Sequence, residues 1–367
     1  MGSALARRAA RLFCFGFHGQ SVSPELAELT ERGARSVILF SRNVDEPAAV
    51  AELTAAIRAL AAEPISVAVD QEGGAVRRLR RGFSELPAFR VLGNCNDEQL
   101  ARDVGRVVGR ELAAVGIDWN LAPVLDVDTN PQNPVIGQRA LSSDPAVVAR
   151  LGVAFALGLQ DADVAACAKH FPGHGDTELD SHRDLPRCDH TRERLSAVEL
   201  VPFAAAARAG VASWMSAHVV YSALDAASPA TLSRAVLHDL GRVQLGFEGL
   251  VVSDDLEMQA IVDHFGFEDA VVRGLEAGVD LFLVCHTTTR MHAAIDAVIH
   301  AVEQGRVSLD QLLTAERRVE SFTRRWADSA RPRPSLACLR SAQHLAVLER
   351  LTPSGSAPAA RDPTESH

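Results

Sequence analysis

Val164-Ala165-Ala166-Cys167-Ala168 runs directly into Lys169-His170-Phe171-Pro172-Gly173-His174-Gly175-Asp176-Thr177-Glu178-Leu179-Asp180-Ser181-His182-Arg183-Asp184-Leu185-Pro186. The first five residues have the uninterrupted apolar character of a strand buried on both faces. The eighteen that follow hold three histidines and four carboxylates among glycines and prolines. A buried strand therefore ends in a loop packed with ionisable groups. Such groups are tolerated where water reaches them, and chemistry concentrates in loops of this kind.

The same pattern recurs along the chain. Short apolar runs at 12–17, 36–40, 65–69, 117–121, 164–168, 212–216, 249–253 and 279–284 predict eight strands. Alanine-rich amphipathic stretches near 46–62, 97–115, 144–161, 193–209, 231–242, 265–277 and 289–304 predict helices between them. Apolar strands alternating with helices imply a parallel sheet covered on both faces. Eight units of this kind predict an α/β fold, a single-domain (β/α)8 barrel over 1–330, with an open doubly wound sheet as the competitor. One more helix is expected near 308–327. An extension over 331–367 should begin with RPRP, form a short amphipathic helix at 336–351, and end in a tail without core-forming residues.

Polar residues stand on one side of these strands. The third strand runs into Asp70, the fifth into Lys169-His170, the sixth into Ala217-His218, the seventh into Asp254-Asp255 and the eighth into Cys285-His286. In a barrel all these C-terminal ends share one rim, the rim where barrel enzymes keep their chemistry.

Bulk composition narrows the partners. A net charge of −10 argues against nucleic acid or an anionic membrane. Six scattered cysteines with no CxxC suit a reduced cytoplasmic chain. The N-terminal stretch lacks a convincing signal-peptide core, and no apolar run approaches a membrane span. Phosphate-loop, dinucleotide-binding and serine-hydrolase elbow motifs are absent from the sequence.

Several groupings could carry chemistry. In an extended Asp180-Ser181-His182 segment, the carboxylate and imidazole would point to the same side. The carboxylate would then fix the tautomer of His182 and support a general acid/base role. Taken alone, the triplet reads more readily as a surface histidine with an incidental neighbour, and its place in this loop reverses that reading. Gly173 and Gly175 would let this loop swing. Asp254 at a strand end has the rigid placement a nucleophile at a sugar carbon needs. Only one of Asp254 and Asp255 should face the site, and Asp255 suits a helix cap. Asp70, before Gln71-Glu72-Gly73-Gly74, could accept hydroxyl hydrogen bonds from a polyol, or could simply cap a turn. Arg139 could hold an oxygen, or be an ordinary surface arginine. His170, His174, Asp176, Asp180, His182 and Asp184 also invite a hydrolytic metal, but HExxH is absent, and the expectation is no metal and no cofactor.

KHFPGHGDTELDSHRDLP resembles the long signature of glycoside hydrolase family 3 β-N-acetylglucosaminidases, the type that serves bacterial peptidoglycan recycling. The resemblance continues in ILFSRN (38–43), VDQEGGAVRRL (69–79), LAPVLDVDTNPQNPVIGQRALSSDP (121–145), MSAHVVY (215–221), VVSDDLEM (251–258) and AGVDLFLVC (277–285). It implies a retaining two-step mechanism with Asp254 as nucleophile, His182 as acid/base and Asp180 as its dyad partner. It further implies that Asp70, Arg139, Lys169 and His170 grip the sugar, with His218 and Met258 as pocket walls. The implied partner is a small carbohydrate, and the expected enzyme is a cytoplasmic monomer acting on terminal N-acetylglucosamine of muropeptide fragments. A phosphorylase using the same residues, a metal-dependent barrel hydrolase and a silent sugar-binding barrel are the competing expectations. Ala75 departs from the arginine common after EGG, and no counterpart is recognised for the extension past 330.

Overall fold

The computed structural model of the chain describes residues 2–177, 185–328, 330–351 and 362. Asp180 and His182 therefore lie outside the described residues. Eight strands close into a barrel. In chain order they are β1 (Phe13–Phe15), β2 (Ser36–Leu39), β3 (Ser66–Val69), β4 (Trp119–Asn120), β5 (Ala165–Phe171), β6 (Ser213–Ser216), β7 (Leu250–Asp255) and β8 (Leu281–Val284). Each pairs in parallel with its sequence neighbours, and Phe13, Cys14 and Phe15 of β1 pair with Phe282, Leu283 and Val284 of β8. Closure rules out the open doubly wound alternative. It also leaves no sheet edge, which explains why these strands read as apolar on both faces.

Barrel-strand hydroxyls are satisfied internally. The Ser66 hydroxyl donates to that of Ser36 at 2.8 Å, and the Trp119 indole donates to Ser213 at 2.9 Å. Phe322 of the long helix Leu309–Trp326 stacks edge-on against Trp119, with ring centroids 5.0 Å apart.

Departures from the sequence-based expectation have local causes. The N-terminal stretch forms a helix, Gly2–Ala10, ahead of β1. Arg8 and Arg11 at its end pair with Glu316 and Glu320 of Leu309–Trp326. A second unexpected helix, Pro24–Arg32, is started by the Ser23 cap and by proline in its first turn, and it ends at Gly33. The stretch 193–209 is two helices, Arg192–Ala197 and Leu200–Arg208. The stretch 265–277 begins as Gln259–Phe265, then restarts at Phe267 after Gly266, whose φ is 74°. Residues 336–351 give a 3-10 turn and a helix, Ala342–Glu349. That helix is anchored by His344, whose Nδ1 lies 3.0 Å from the buried Glu111 carboxylate. Among the described residues no helix is long and apolar enough to cross a membrane.

Candidate active site

The C-terminal ends of the strands surround one cavity. Asp70, Arg78, Arg139, Lys169, His170, His174, Asp254, Asp255, Met258 and His286 line it together with Phe40, Met215 and other apolar groups. Asp70 follows β3 directly. The backbone N–H of Gln71 donates to Asn120 at 3.0 Å, and Asn120 returns a hydrogen bond to the Gln71 carbonyl. The Gln71 side chain then bonds both backbone groups of Leu79, at 2.9 and 3.1 Å. These bonds fold residues 71–79 back on themselves, and Arg78 returns to 3.4 Å from Asp70. Gly73 (φ 128°) sits where a Cβ would lie 2.3 Å from the Pro87 carbonyl, so the glycine serves a close approach of the chain to itself.

Four charged side chains form the floor. Glu72 takes a two-pronged pair of hydrogen bonds from Arg139, both 2.8 Å. Lys169 lies 2.7 Å from Glu72 and donates to Asp70 at 2.8 Å. Burial alone would raise the Glu72 carboxyl, but the Arg139 guanidinium and Lys169 ammonium hold it far below the usual carboxylate range. Burial would likewise weaken the charge on Arg139 and Lys169. Glu72 reverses this for Arg139, and Asp70 followed by Glu72 reverses it for Lys169, so both stay cationic. Arg78, with no side-chain exposure, also meets the carboxylate of Asp362.

β5 delivers Lys169 and His170 through an irregular end, with a register shift between Ala168 and Phe171. The peptide bonds Lys169–His170 and Phe171–Pro172 are cis. Beyond it, the two glycines expected to let the loop swing are demanded by packing. A Cβ on Gly175 would lie 1.8 Å from the Val127 carbonyl, and one on Gly173 would lie 2.9 Å from Glu199. His174 is buried, and burial lowers its pKa to about 4, so it is neutral at ordinary pH.

β7 ends in Asp254 and Asp255. Simple alternation would send one of them away, but both line the cavity. A register shift between Val252 and Asp255 against β8 breaks the alternation. Asp255 is not a helix cap. Its Oδ1 accepts from Glu257 N–H at 3.1 Å and its Oδ2 lies 3.2 Å from His286, while Met258 begins the next helix.

Of the residues expected in the site, Asp70, Arg139, Lys169, His170, Asp254 and Met258 meet at this cavity. His218 does not line it. It stands behind the wall, with Nδ1 2.8 Å from the Thr231 hydroxyl and Nε2 3.0 Å from the Asp255 carbonyl, where it braces the turn that carries both aspartates. Sequence reasoning missed Arg78, Glu72 and Asp126. Arg78 and Glu72 both lie within VDQEGGAVRRL, but only the folded-back hairpin reveals that Arg78 faces Asp70. Ala75 is not among the lining residues.

Among the described residues, Asp176, His190 and Glu199 are close enough to share a cation. His190 bonds Asp176 directly, and Arg194 lies 3.1 Å from Glu199 and 3.7 Å from Asp176. A guanidinium thus already bridges these carboxylates, and the cluster reads as an ion-pair network.

The family described as "Glycosyl hydrolase family 3 N terminal domain" matches residues 17–322. A protein of Thiobacillus denitrificans named Beta-hexosaminidase is 46% identical over 256 residues, covering 68% of this chain and 71% of its own length. The solved structure of a glycoside hydrolase family 3 beta-N-acetylglucosaminidase from a Paenibacillus species superposes with a TM-score of 0.91 at 41% identity, covering 95% of this chain and 68% of that one. Coverage of 95% is more than residues 1–330 amount to, so part of the extension does have a counterpart. The structure of NagZ from Neisseria gonorrhoeae in complex with N-trifluoroacetyl-D-glucosamine superposes at 0.73 with 34% identity, over 85% of this chain and 98% of that one. With its closed barrel and its rim of carboxylates and cations, the chain belongs to glycoside hydrolase family 3, as an enzyme of the β-hexosaminidase type.

Proposed function

We propose that the chain is an exo-acting, retaining β-N-acetylglucosaminidase that removes terminal N-acetylglucosamine from muropeptide fragments in the cytoplasm, working as a monomer. The observation that carries this reading is the placement of Asp254. It ends a barrel strand and faces the same cavity as Asp70, Arg78, Lys169 and His170. A relative binding an N-acylated glucosamine supports the sugar class.

In this mechanism Asp70, Lys169, Arg78 and His170 hold the sugar hydroxyls, and Asp254 attacks the anomeric carbon. His182, oriented by Asp180, protonates the departing oxygen. A covalent glycosyl–Asp254 ester results, and His182 then deprotonates the water that releases the sugar with its configuration retained. With imidazole replacing the second carboxylate of most retaining enzymes, only Asp254 must stay anionic. Glu72 and Arg139 hold the floor rigid, so the geometry is set before substrate arrives.

The test is release of 4-nitrophenol from its N-acetyl-β-D-glucosaminide, with EDTA present and with or without inorganic phosphate. Steady phosphate-independent turnover that yields the β-anomer first supports the reading. Turnover that requires phosphate and yields the sugar 1-phosphate replaces it with phosphorolysis, and loss of turnover in EDTA replaces it with metal-dependent hydrolysis.

A further inference from the structure

Asp126 is fully buried, six residues beyond the end of β4. It lies one step behind the cavity wall, yet it makes three hydrogen bonds to the histidine-bearing loop. Its Oδ1 accepts the backbone N–H of His170 at 3.0 Å and that of His174 at 2.7 Å. Its Oδ2 lies 2.7 Å from His170 Nδ1. Burial would raise this carboxyl, but His170 and the other donors hold it below the ordinary aspartate range. Asp126 is therefore an anion and can only accept hydrogen bonds. The ring nitrogen that faces it must carry a proton.

That requirement settles which nitrogen of His170 meets the ligand. In the neutral ring with its proton on Nδ1, the lone pair sits on Nε2, on the far side of the ring, and His170 lines the cavity. The nearby cations Lys169, Arg78 and Arg139 can only donate. A sugar hydroxyl held by one of these donors still has its own proton to place, and a bare Nε2 on His170 can accept it.

We propose that Asp126 is a positioning residue that locks His170 in the Nδ1–H tautomer, so that His170 Nε2 accepts a hydrogen bond from a substrate hydroxyl. This rests on the sugar-binding reading of the cavity. Carboxylates standing behind metal-binding histidines change affinity or activity by about 10- to 100-fold when altered, and an effect of that order is expected for a histidine oriented in the same way toward a hydroxyl.

Two measurements test it on the full chain. In the 15N-labelled protein without substrate, long-range proton–nitrogen spectra should show His170 protonated at Nδ1 and bare at Nε2. A proton on Nε2 overturns the proposal, and this result stands whether or not the enzyme turns over. In Asp126→Asn the amide oxygen can still accept the two backbone N–H groups, but the amide NH2 faces Nδ1 and should move the proton to Nε2. With 4-nitrophenyl N-acetyl-β-D-glucosaminide as probe, KM should rise about 10- to 100-fold with a much smaller change in kcat. Combining Asp126→Asn with His170→Ala should cost no more than His170→Ala alone. Additive losses, or an unchanged KM, overturn the proposal. If the single variant does not fold, the wild-type spectrum still decides. Absence of wild-type turnover would fall on the hydrolase reading and leave the tautomer result intact.

Discussion

Buried aspartates occupy both ends of this barrel, and the two ends use them differently. At the N-terminal ends of the strands, Asp118 precedes β4 and Asp280 precedes β8. Asp118 accepts the Val67 backbone N–H at 3.1 Å and is paired with Arg58 and Arg333. Asp280 accepts the Val251 N–H at 2.9 Å and is paired with Arg242 and Arg318. Each ties a neighbouring strand to arginines from surrounding segments. At the opposite end, Asp70 and Asp254 face a cavity, and their neighbours are the side chains that line it. The residue type is the same. What differs is the company. The first pair join strand backbone to arginines outside the site, whereas Asp70 is held by Lys169 and Arg78, which line the cavity with it. Asp254 accepts the adjacent Asp255 N–H while its side chain lines the cavity. In barrel enzymes the first arrangement belongs to stability and the second to catalysis.

Substitutions at the two ends should separate these jobs. The largest effect is expected for Asp254→Ala: turnover falls by about four orders of magnitude or more, while the melting temperature stays near wild type. Asp280→Ala should do the reverse. Removing the carboxylate strands the largely buried Arg242, at a cost of about 3–5 kcal/mol, while kcat of the surviving folded protein stays near wild type. Denaturant unfolding and steady-state kinetics on both variants check the pair, and similar profiles would erase the distinction.

Glu72→Gln sharpens the comparison, because Glu72 serves both purposes. It leaves Arg139 and Lys169 with one anion fewer in a buried setting, and should lower both stability, by about 3 kcal/mol, and kcat/KM. A loss confined to one of the two would place Glu72 with only one end of the barrel. For His182→Ala, substrates with poor leaving groups should slow far more than activated aryl glycosides, as measured by comparing the two classes directly; equal losses would count against the acid role.

The last effect concerns pH and is spread over more than two pH units. His174 has a folded pKa of about 4 against an ordinary 6.5. Between these values the unfolded chain binds the proton that the folded chain refuses. Stability should therefore fall as pH drops from 6.5 toward 4, by on the order of 3 kcal/mol in all. Asp126 and Glu72, whose folded pKa values are depressed, contribute stability that is present above about pH 4.5 and lost below it. His174→Asn should flatten the fall in melting temperature across the upper window. An unchanged slope would assign that acid sensitivity elsewhere.

The eight strands were legible because a closed parallel sheet is apolar on both faces, and each of the eight short apolar runs singled out in the sequence overlaps one of them. The helices Gly2–Ala10 and Pro24–Arg32 were less so, although Ser23-Pro24 and Gly33 carry start and stop signals. In the site, residues attached directly to strand ends were legible, since rim position follows from the strand itself. Arg78 was not, because its return to Asp70 depends on the hydrogen bonds between Gln71 and Leu79. The facing of Asp254 and Asp255 was also hidden, because the register shift that turns both inward leaves no mark in the alternation of VVSDD. His218 matched a family pocket position, yet it is held behind the wall by Thr231.

The most direct test of the account is to trap the intermediate. Incubation with a fluorinated N-acetylglucosaminyl donor that forms the glycosyl ester faster than it is hydrolysed, followed by peptide mass analysis, should find one sugar attached to the peptide containing Asp254. The Asp254→Ala protein should remain unlabelled. A wild-type enzyme that turns over yet carries the sugar on another carboxylate, or on none, would contradict the assignment of Asp254 as nucleophile.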